Sequence, residues 1–196
     1  MQQKRKALHL PFKERNMDQS LQKLIAGCRH GDAGAQRNLF DQYRTSLFAV
    51  CLRYARDRPE AQDILQEAFL TIFRDLGQYK GEGSFDGWLR KVTVRCALQH
   101  LRRKNPLRFA ENYDELPHDT HHFVPDADLN SESLLRMVQL LAPGYRTIFN
   151  LHCMESFSYA EIAVELGISE STVRSQYARA CKQLRSLVEK LLTTVF

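Results

Sequence analysis

Apolar residues recur every three or four positions along most of this chain, and no stretch alternates with the period of two expected of a strand. That pattern predicts an all-α protein. A first helix is expected from about Asp18 to Arg29. Asp32 is placed to cap a long second helix with Leu39, Phe40, Tyr43, Leu47, Val50, Cys51 and Tyr54 on its inner side. Pro59, just after Asp57, suits the first turn of a third helix that ends near Gly77. Its core stripe reads Leu65, Phe69, Ile72, Phe73 and Leu76. Tyr79–Ser84 reads as a flexible polar loop and Phe85–Lys104 as a fourth helix. From Pro106 to Ser131 periodicity is lost among prolines and acids, which predicts an extended linker. Ser131 is expected to cap a fifth helix and Pro143 to start a sixth. The division that follows is a leader over 1–17, a helical domain over 18–104, an acidic linker over 105–130 and a second helical domain over 131–196.

The segment Phe157–Arg185 carries the sharpest pattern, that of a helix-turn-helix. Ser158 and Glu161 are spaced as a capping box, and Tyr159, Ile162, Ala163 and Leu166 share one face. Gly167 suits a left-handed helix end and Ser169 the next cap. Val173, Tyr177, Cys181, Leu184 and Val188 form the expected buried stripe of the second helix. Opposite lie Arg174, Ser175, Ala178, Arg179, Lys182 and Arg185, a face with four cations and no acid. Ser175 and Ala178 are short enough to let the backbone approach base edges. An ordinary helical hairpin with a solvated basic face is the alternative.

Charge sharpens this picture only when it is divided. The net +5 over 196 residues hides two basic blocks around an acidic strip. Residues 20–104 hold fifteen Lys/Arg against nine acids, whereas residues 105–133 hold one against seven. Hydrophobic content of 43% is enough for packed cores. Five scattered cysteines without a C-x-x-C pair argue for a reducing compartment. The first residues lack the apolar core of a secretory signal, and no run is long enough to span a membrane, so a cytoplasmic protein is expected.

Two further constellations carry candidate chemistry. On the third helix Asp63, Gln66, Glu67 and Leu70 share the face opposite the core. A leucine among acids and an amide suits protein docking, and a solvated face is the competing account. No nucleophile, histidine or lysine converges there, so catalysis is not expected. On the fourth helix Trp88, Lys91, Arg95, Gln99 and Arg102 form one strip, and Arg103 adds a cation beside it. Between Gly87 and Ala110 stand seven cations and no acid. Cations spaced along a groove meet phosphates, and an aromatic ring can stack on an exposed base. The preceding Lys80, Gly81 and Ser84 lie in a loop able to close over such a base. The alternative places Trp88 in the core and leaves the cations to solvent.

In this order the pieces resemble a bacterial extracytoplasmic-function (ECF) sigma factor of the sigma-70 family, over about residues 20–104 and 131–196. Asp63-Ile64-Leu65-Gln66-Glu67-Ala68-Phe69 is similar to the family signature that docks on the coiled coil of the polymerase β′ subunit. The resemblance implies that Asp63, Gln66 and Glu67 contact core polymerase; Leu70 is added from the helical face. Phe85 with Trp88-Leu89 matches the family's F-x-x-W-L pattern, which captures the non-template strand of the −10 element and nucleates melting. Ser171-Thr172-Val173-Arg174-Ser175 resembles its G-T-V-x-S-R recognition helix, which reads the −35 element. Arg95 stands where relatives commonly carry Asn, Gln99 where they carry Asp or Asn, and Gln176 where Arg is usual. A cation at 95 strengthens phosphate contact.

The partners implied are core RNA polymerase through its β′ and β subunits, promoter DNA and an inhibitory anti-sigma factor, often membrane-bound; no cofactor or small-molecule substrate is implied. The acidic linker then has two readings, a strap that mimics nucleic acid in a basic channel or a plain solvated tether. His118, His121 and His122 lack an ordered fourth ligand, so no metal is expected. A stand-alone helix-turn-helix regulator that binds duplex DNA without polymerase is the alternative function. It accounts for the C-terminal domain only.

Overall fold

The computed structural model describes residues 19–104 and 131–195; the leader over 1–17 and the linker over 105–130, with its acids and histidines, lie outside the described residues. Two compact units divide the chain near Leu101. The first holds α1 (Gln19–Arg29), α2 (Ala33–Tyr54), α3 (Arg58–Asp75), a 3-10 turn (Leu76–Gln78) and α4 (Phe85–Lys104). The second holds α5 (Ser131–Leu140), α6 (Pro143–Cys153), α7 (Tyr159–Leu166) and α8 (Glu170–Val195). No strand occurs among the described residues.

Local chemistry sets the helix ends of the first unit. Gly27 lies where a Cβ would meet the Ala35 Cβ at 2.8 Å, so its missing side chain lets α1 and α2 approach. Asp32 then accepts a hydrogen bond from the Ala35 N–H at 2.6 Å and starts α2. Asp57 does the same for α3 through the Glu60 N–H at 2.9 Å, with Pro59 in the first turn. These helices bury Leu39, Leu47, Ile64, Ile72, Leu76 and Leu89, all at 0% exposure. Tyr43 meets Phe85 edge-on at 5.8 Å, which fastens the start of α4 to α2.

The core stripe of α3 is rotated from the expected one. Ile64 and Ala68 are fully buried, whereas Leu65 and Phe73 are only half-buried. The aromatic rings explain the turn: Phe69 packs against Phe40 at 4.6 Å and Phe73 at 5.9 Å, forming a wall along the edge of the core.

In the second unit α5 begins at Ser131 itself, one position earlier than a cap at that residue requires. Pro143 opens α6 as expected. Leu141, Ala142, Tyr145 and Ala180 make one core cluster, with Phe149 and Leu184 against it. The stripe of α8 again departs from the expected one. Val173, Gln176 and Ala180 are buried, and Tyr177, Cys181, Leu184 and Val188 are half-buried. A buried glutamine cannot be nominated by an apolar pattern, yet it completes the three- and four-residue spacing of this face.

All five cysteines are free thiols. Burial, with a smaller push from Cys96, raises the Cys51 thiol to about 12, and burial raises Cys96 and Cys28 as well. The thiolate is the nucleophile, so these sites are inert in the folded protein. Iodoacetamide at neutral pH should therefore label the half-buried Cys153 and Cys181 first and leave Cys51 and Cys96 unmodified, as read by peptide mass spectrometry.

Candidate nucleic-acid interface

The helix-turn-helix is assembled by its turn chemistry. Ser158 Oγ accepts from the Glu161 N–H at 3.2 Å, and Glu161 Oε2 accepts from the Ser158 N–H at 2.7 Å, a closed capping box. Those bonds hold the Glu161 carboxyl below its usual range. Gly167, at φ +69°, ends α7 in the left-handed conformation. Ser169 Oγ then accepts from the Thr172 N–H at 3.1 Å and caps α8. The hydroxyls of Ser171 and Thr172 lie 2.8 and 2.7 Å from that same oxygen. Both predicted contact residues thus belong to a hydroxyl cluster at the N-terminal, positive end of α8, an arrangement that favours an anion.

Further along α8, Arg174, Ser175, Ala178, Arg179, Lys182 and Arg185 all face solvent on one side, as expected. Two details differ from a plain cationic face. Arg174 is paired with Glu170 one turn earlier, Nε to Oε1 at 3.2 Å, and its guanidinium lies 4.8 Å over the Tyr159 ring. Arg179 reaches back to the Tyr145 hydroxyl at 3.4 Å. An acid therefore does touch this face, where none was expected. Ser175 donates its hydroxyl to the Thr172 carbonyl at 3.0 Å, which keeps it short and low against the helix.

The Glu170 pair makes a prediction. An exposed helix pair contributes about 0.2–1 kcal/mol, and a ligand that needs the arginine must break it. Glu170→Ala should strengthen binding to duplex DNA by up to about fivefold, the factor that amount corresponds to. It should also lower the melting temperature slightly, because an acid leaves the positive end of α8. Duplex affinity by fluorescence anisotropy checks the first, and thermal unfolding the second.

Beneath this face the Tyr177 hydroxyl lies 3.2 Å from Cys153 Sγ. Burial, followed by hydrogen bonds with Cys153 and Cys181, pushes this phenol well above its usual range, so it stays protonated. Tyr177 packs with Phe149, His152 and Tyr159 as an aromatic layer that joins α6, α7 and α8.

In the first unit α4 carries the second surface. Lys91, Arg95, Gln99 and Arg103 are exposed, and Arg102 is half-exposed in the last turn. Leu89 and Cys96 point into the core and Val92 lies partly buried against it. Trp88 falls between the two alternatives. It is half-buried, its ring parallel to Phe85 within 13° at 5.9 Å and 5.6 Å from Tyr79. One side of the indole is packed and the rest stays accessible.

The loop before α4 is stapled rather than flexible. Arg29, the last residue of α1, donates to the Leu76 carbonyl at 3.2 Å and the Tyr79 carbonyl at 2.5 Å. Tyr79 donates its hydroxyl to the Gly83 carbonyl at 3.0 Å, and Ser84 Oγ accepts from the Gly87 N–H at 3.0 Å. Gly81 and Gly83 both adopt positive φ between these anchors. The hydroxyl of Ser84 is thus engaged in starting α4, while Lys80 and Gly81 stay exposed. With α1 they edge a cleft of about 200 Å³ that Gln22, Arg29 and Tyr79 also line.

The third surface lies on α3. Asp63, Gln66 and Leu70 are exposed together, and Leu70 at 71% is the most exposed large apolar side chain of this unit among the described residues. Glu67 differs from the fully exposed group expected: its side chain is 37% exposed and its Oε1 lies 3.4 Å from His100 Nδ1. Sequence reasoning missed Arg29 and His100, which act across 47 to 50 and 33 positions of chain. The Glu170 contact was missed too, although its place four residues before Arg174 on the same helix was a signal that could have given it.

Among the described residues no helix is long and apolar enough to cross a membrane, and no cluster of His, Cys, Asp and Glu is arranged to hold a metal. Comparison with known proteins finds two family matches, "Sigma-70 region 2" over residues 39–106 and "Sigma-70, region 4" over residues 131–184. The ECF RNA polymerase sigma factor SigE of Mycolicibacterium smegmatis is 30% identical over 158 residues, covering 78% of this chain and 61% of that protein. The RNA polymerase sigma-H factor of Pseudomonas aeruginosa is 28% identical over 183 residues, covering 87% of this chain and 95% of that one. A solved structure of the sigma factor RpoE in complex with the anti-sigma factor NepR from Bartonella quintana is 16% identical at a TM-score of 0.49, covering 78% of this chain and 96% of that chain.

Proposed function

The chain belongs to the sigma-70 family, in its ECF group, and on that premise we propose that it binds core RNA polymerase and directs promoter-specific initiation of transcription. The observation that carries this reading is the placement of two separate cationic faces, on α4 and on α8, in two units of one chain. One face suits melted DNA beside an aromatic ring, and the other suits a major groove. A chain tethering both to one promoter gains affinity through effective concentration.

Each surface has a role in this reading. Asp63, Gln66, Glu67 and Leu70 on α3 mount the first unit on the polymerase. Lys80, Gly81 and Ser84 shape the loop, and Trp88, Lys91, Arg95, Gln99, Arg102 and Arg103 hold the opened −10 strand. Ser171, Thr172, Arg174, Ser175, Ala178, Arg179 and Lys182 meet the −35 duplex, with Arg174 and Arg179 the side chains long enough for base edges. The chain works in the cytoplasm with the polymerase. An anti-sigma partner restrains it by covering the α3 face or the α4 strip.

The deciding experiment mixes the purified chain with sigma-free core polymerase and a library of promoters. A stable complex and specific run-off transcripts are expected. Tight duplex binding by the chain alone, with no polymerase complex, would instead establish a stand-alone helix-turn-helix regulator.

A further inference from the structure

His100 projects from the inner side of α4, opposite the cationic strip, and is only 6% exposed. Its two ring nitrogens face two carboxylates of α3. Nδ1 lies 3.4 Å from Glu67 Oε1, and Nε2 lies 3.6 Å from Glu60 Oε1. Glu60 is itself buried, and its other oxygen accepts from the Arg56 N–H at 2.6 Å, just ahead of the start of α3. The imidazole is therefore gripped between the fixed first turn of α3 and a residue two turns on. Its Nε2 makes no hydrogen bond. Burial of such a nitrogen is unfavourable, so packing alone does not account for a histidine at this place.

We propose that His100 is a positioning residue for polymerase docking: held between Glu60 and Glu67, its imidazole fixes the direction of the Glu67 carboxylate on the α3 face. This rests on the reading of that face as the polymerase contact. A free glutamate loses rotamer freedom when it pairs with a partner's guanidinium or ammonium group, and a pre-held one loses less. The neighbouring Asp63, Gln66 and Leu70, all exposed, have no such support in the contacts above. Because His100 is part of α4, the helix that holds the melted strand also sets the geometry of the docking carboxylate.

The test measures the dissociation constant of the full chain with sigma-free core polymerase, beside helix content and thermal unfolding of each variant. His100→Leu is expected to weaken binding about 2- to 10-fold, the effect of freeing one long side chain. His100→Gln, which restores a donor toward Glu67, should recover most of the loss. Adding Glu67→Gln to His100→Leu should weaken binding no further than Glu67→Gln does alone. Should the leucine variant lose helix content, His100→Phe replaces it in the same cycle. Wild-type affinity in the folded apolar variant, or losses that add independently with Glu67→Gln, overturns the proposal and leaves the docking face standing. Normal affinity in both Glu67→Gln and Asp63→Asn removes the docking face, and the role of His100 goes with it.

Discussion

Leu70→Lys will fold normally and fail to assemble with core polymerase. The folding half follows from exposure: at 71% the side chain contributes little to the core, and lysine is as good a helix former as leucine. Lysine three residues after Glu67 also makes a mildly favourable helix pair. Unfolding free energy should shift by no more than about 0.5 kcal/mol. Docking is a different matter. Burying a leucine against a partner is worth about 1.5–3 kcal/mol, and in the proposed docking the new ammonium would be desolvated beside the cations that pair with Asp63 and Glu67. Together these make a loss of about 3 kcal/mol or more, at least 100-fold in affinity. Leu70→Ala, which removes the contact without adding charge, should lose roughly 10-fold. Both are read by titration of labelled core polymerase. Unchanged binding by the lysine variant would mean that α3 presents an ordinary solvated face, and that Leu70 is one of the scattered apolar residues any surface carries.

The contrast between Leu70 and Glu67 shows how far sequence reasoning reaches. Helix ends were legible because capping is local: Asp32, Asp57, Ser158 and Gly167 act on residues three or four positions away. The outward faces of α3, α4 and α8 were legible for the same reason, since helical spacing alone decides which residues share a side. What escaped was decided by other segments. On α3, Ile64 and Leu65 differ by one position, so only the aromatic wall around Phe69 determines which of them is fully buried. Gln176 is polar and buried, against the usual correlation. Arg29 ties down a loop some fifty residues later, and His100 meets Glu67 across two helices. Those two contacts turn a flexible loop into a shaped one and an exposed acid into a held one. No periodic pattern encodes either.

The stapled loop bears on the last prediction. Trp88→Ala should reduce open-complex formation about 5- to 150-fold, the range that 1–3 kcal/mol of base stacking spans, while duplex binding through α8 stays unchanged. The indole is held in place before DNA arrives: Phe85 lies parallel to it, Tyr79 abuts it, and Tyr79 is itself fixed through Gly83 and Arg29. A ring already held loses little freedom when a base stacks on it, so most of the stacking energy goes into strand opening. Alanine also removes packing. A half-buried Trp truncation should cost less than the ~3–5 kcal/mol of a fully buried one, and the variant will melt earlier. Trp88→Phe separates the two effects, because a smaller ring keeps part of the stack and most of the core contact. Permanganate reactivity of unpaired thymines reports opening, and electrophoretic mobility of a −35 duplex reports binding. If opening follows stability rather than ring area, with phenylalanine and alanine variants equally active at a temperature where both are folded, Trp88 is a core residue. The cations at Lys91 and Arg95 would then hold the strand by phosphate contact alone.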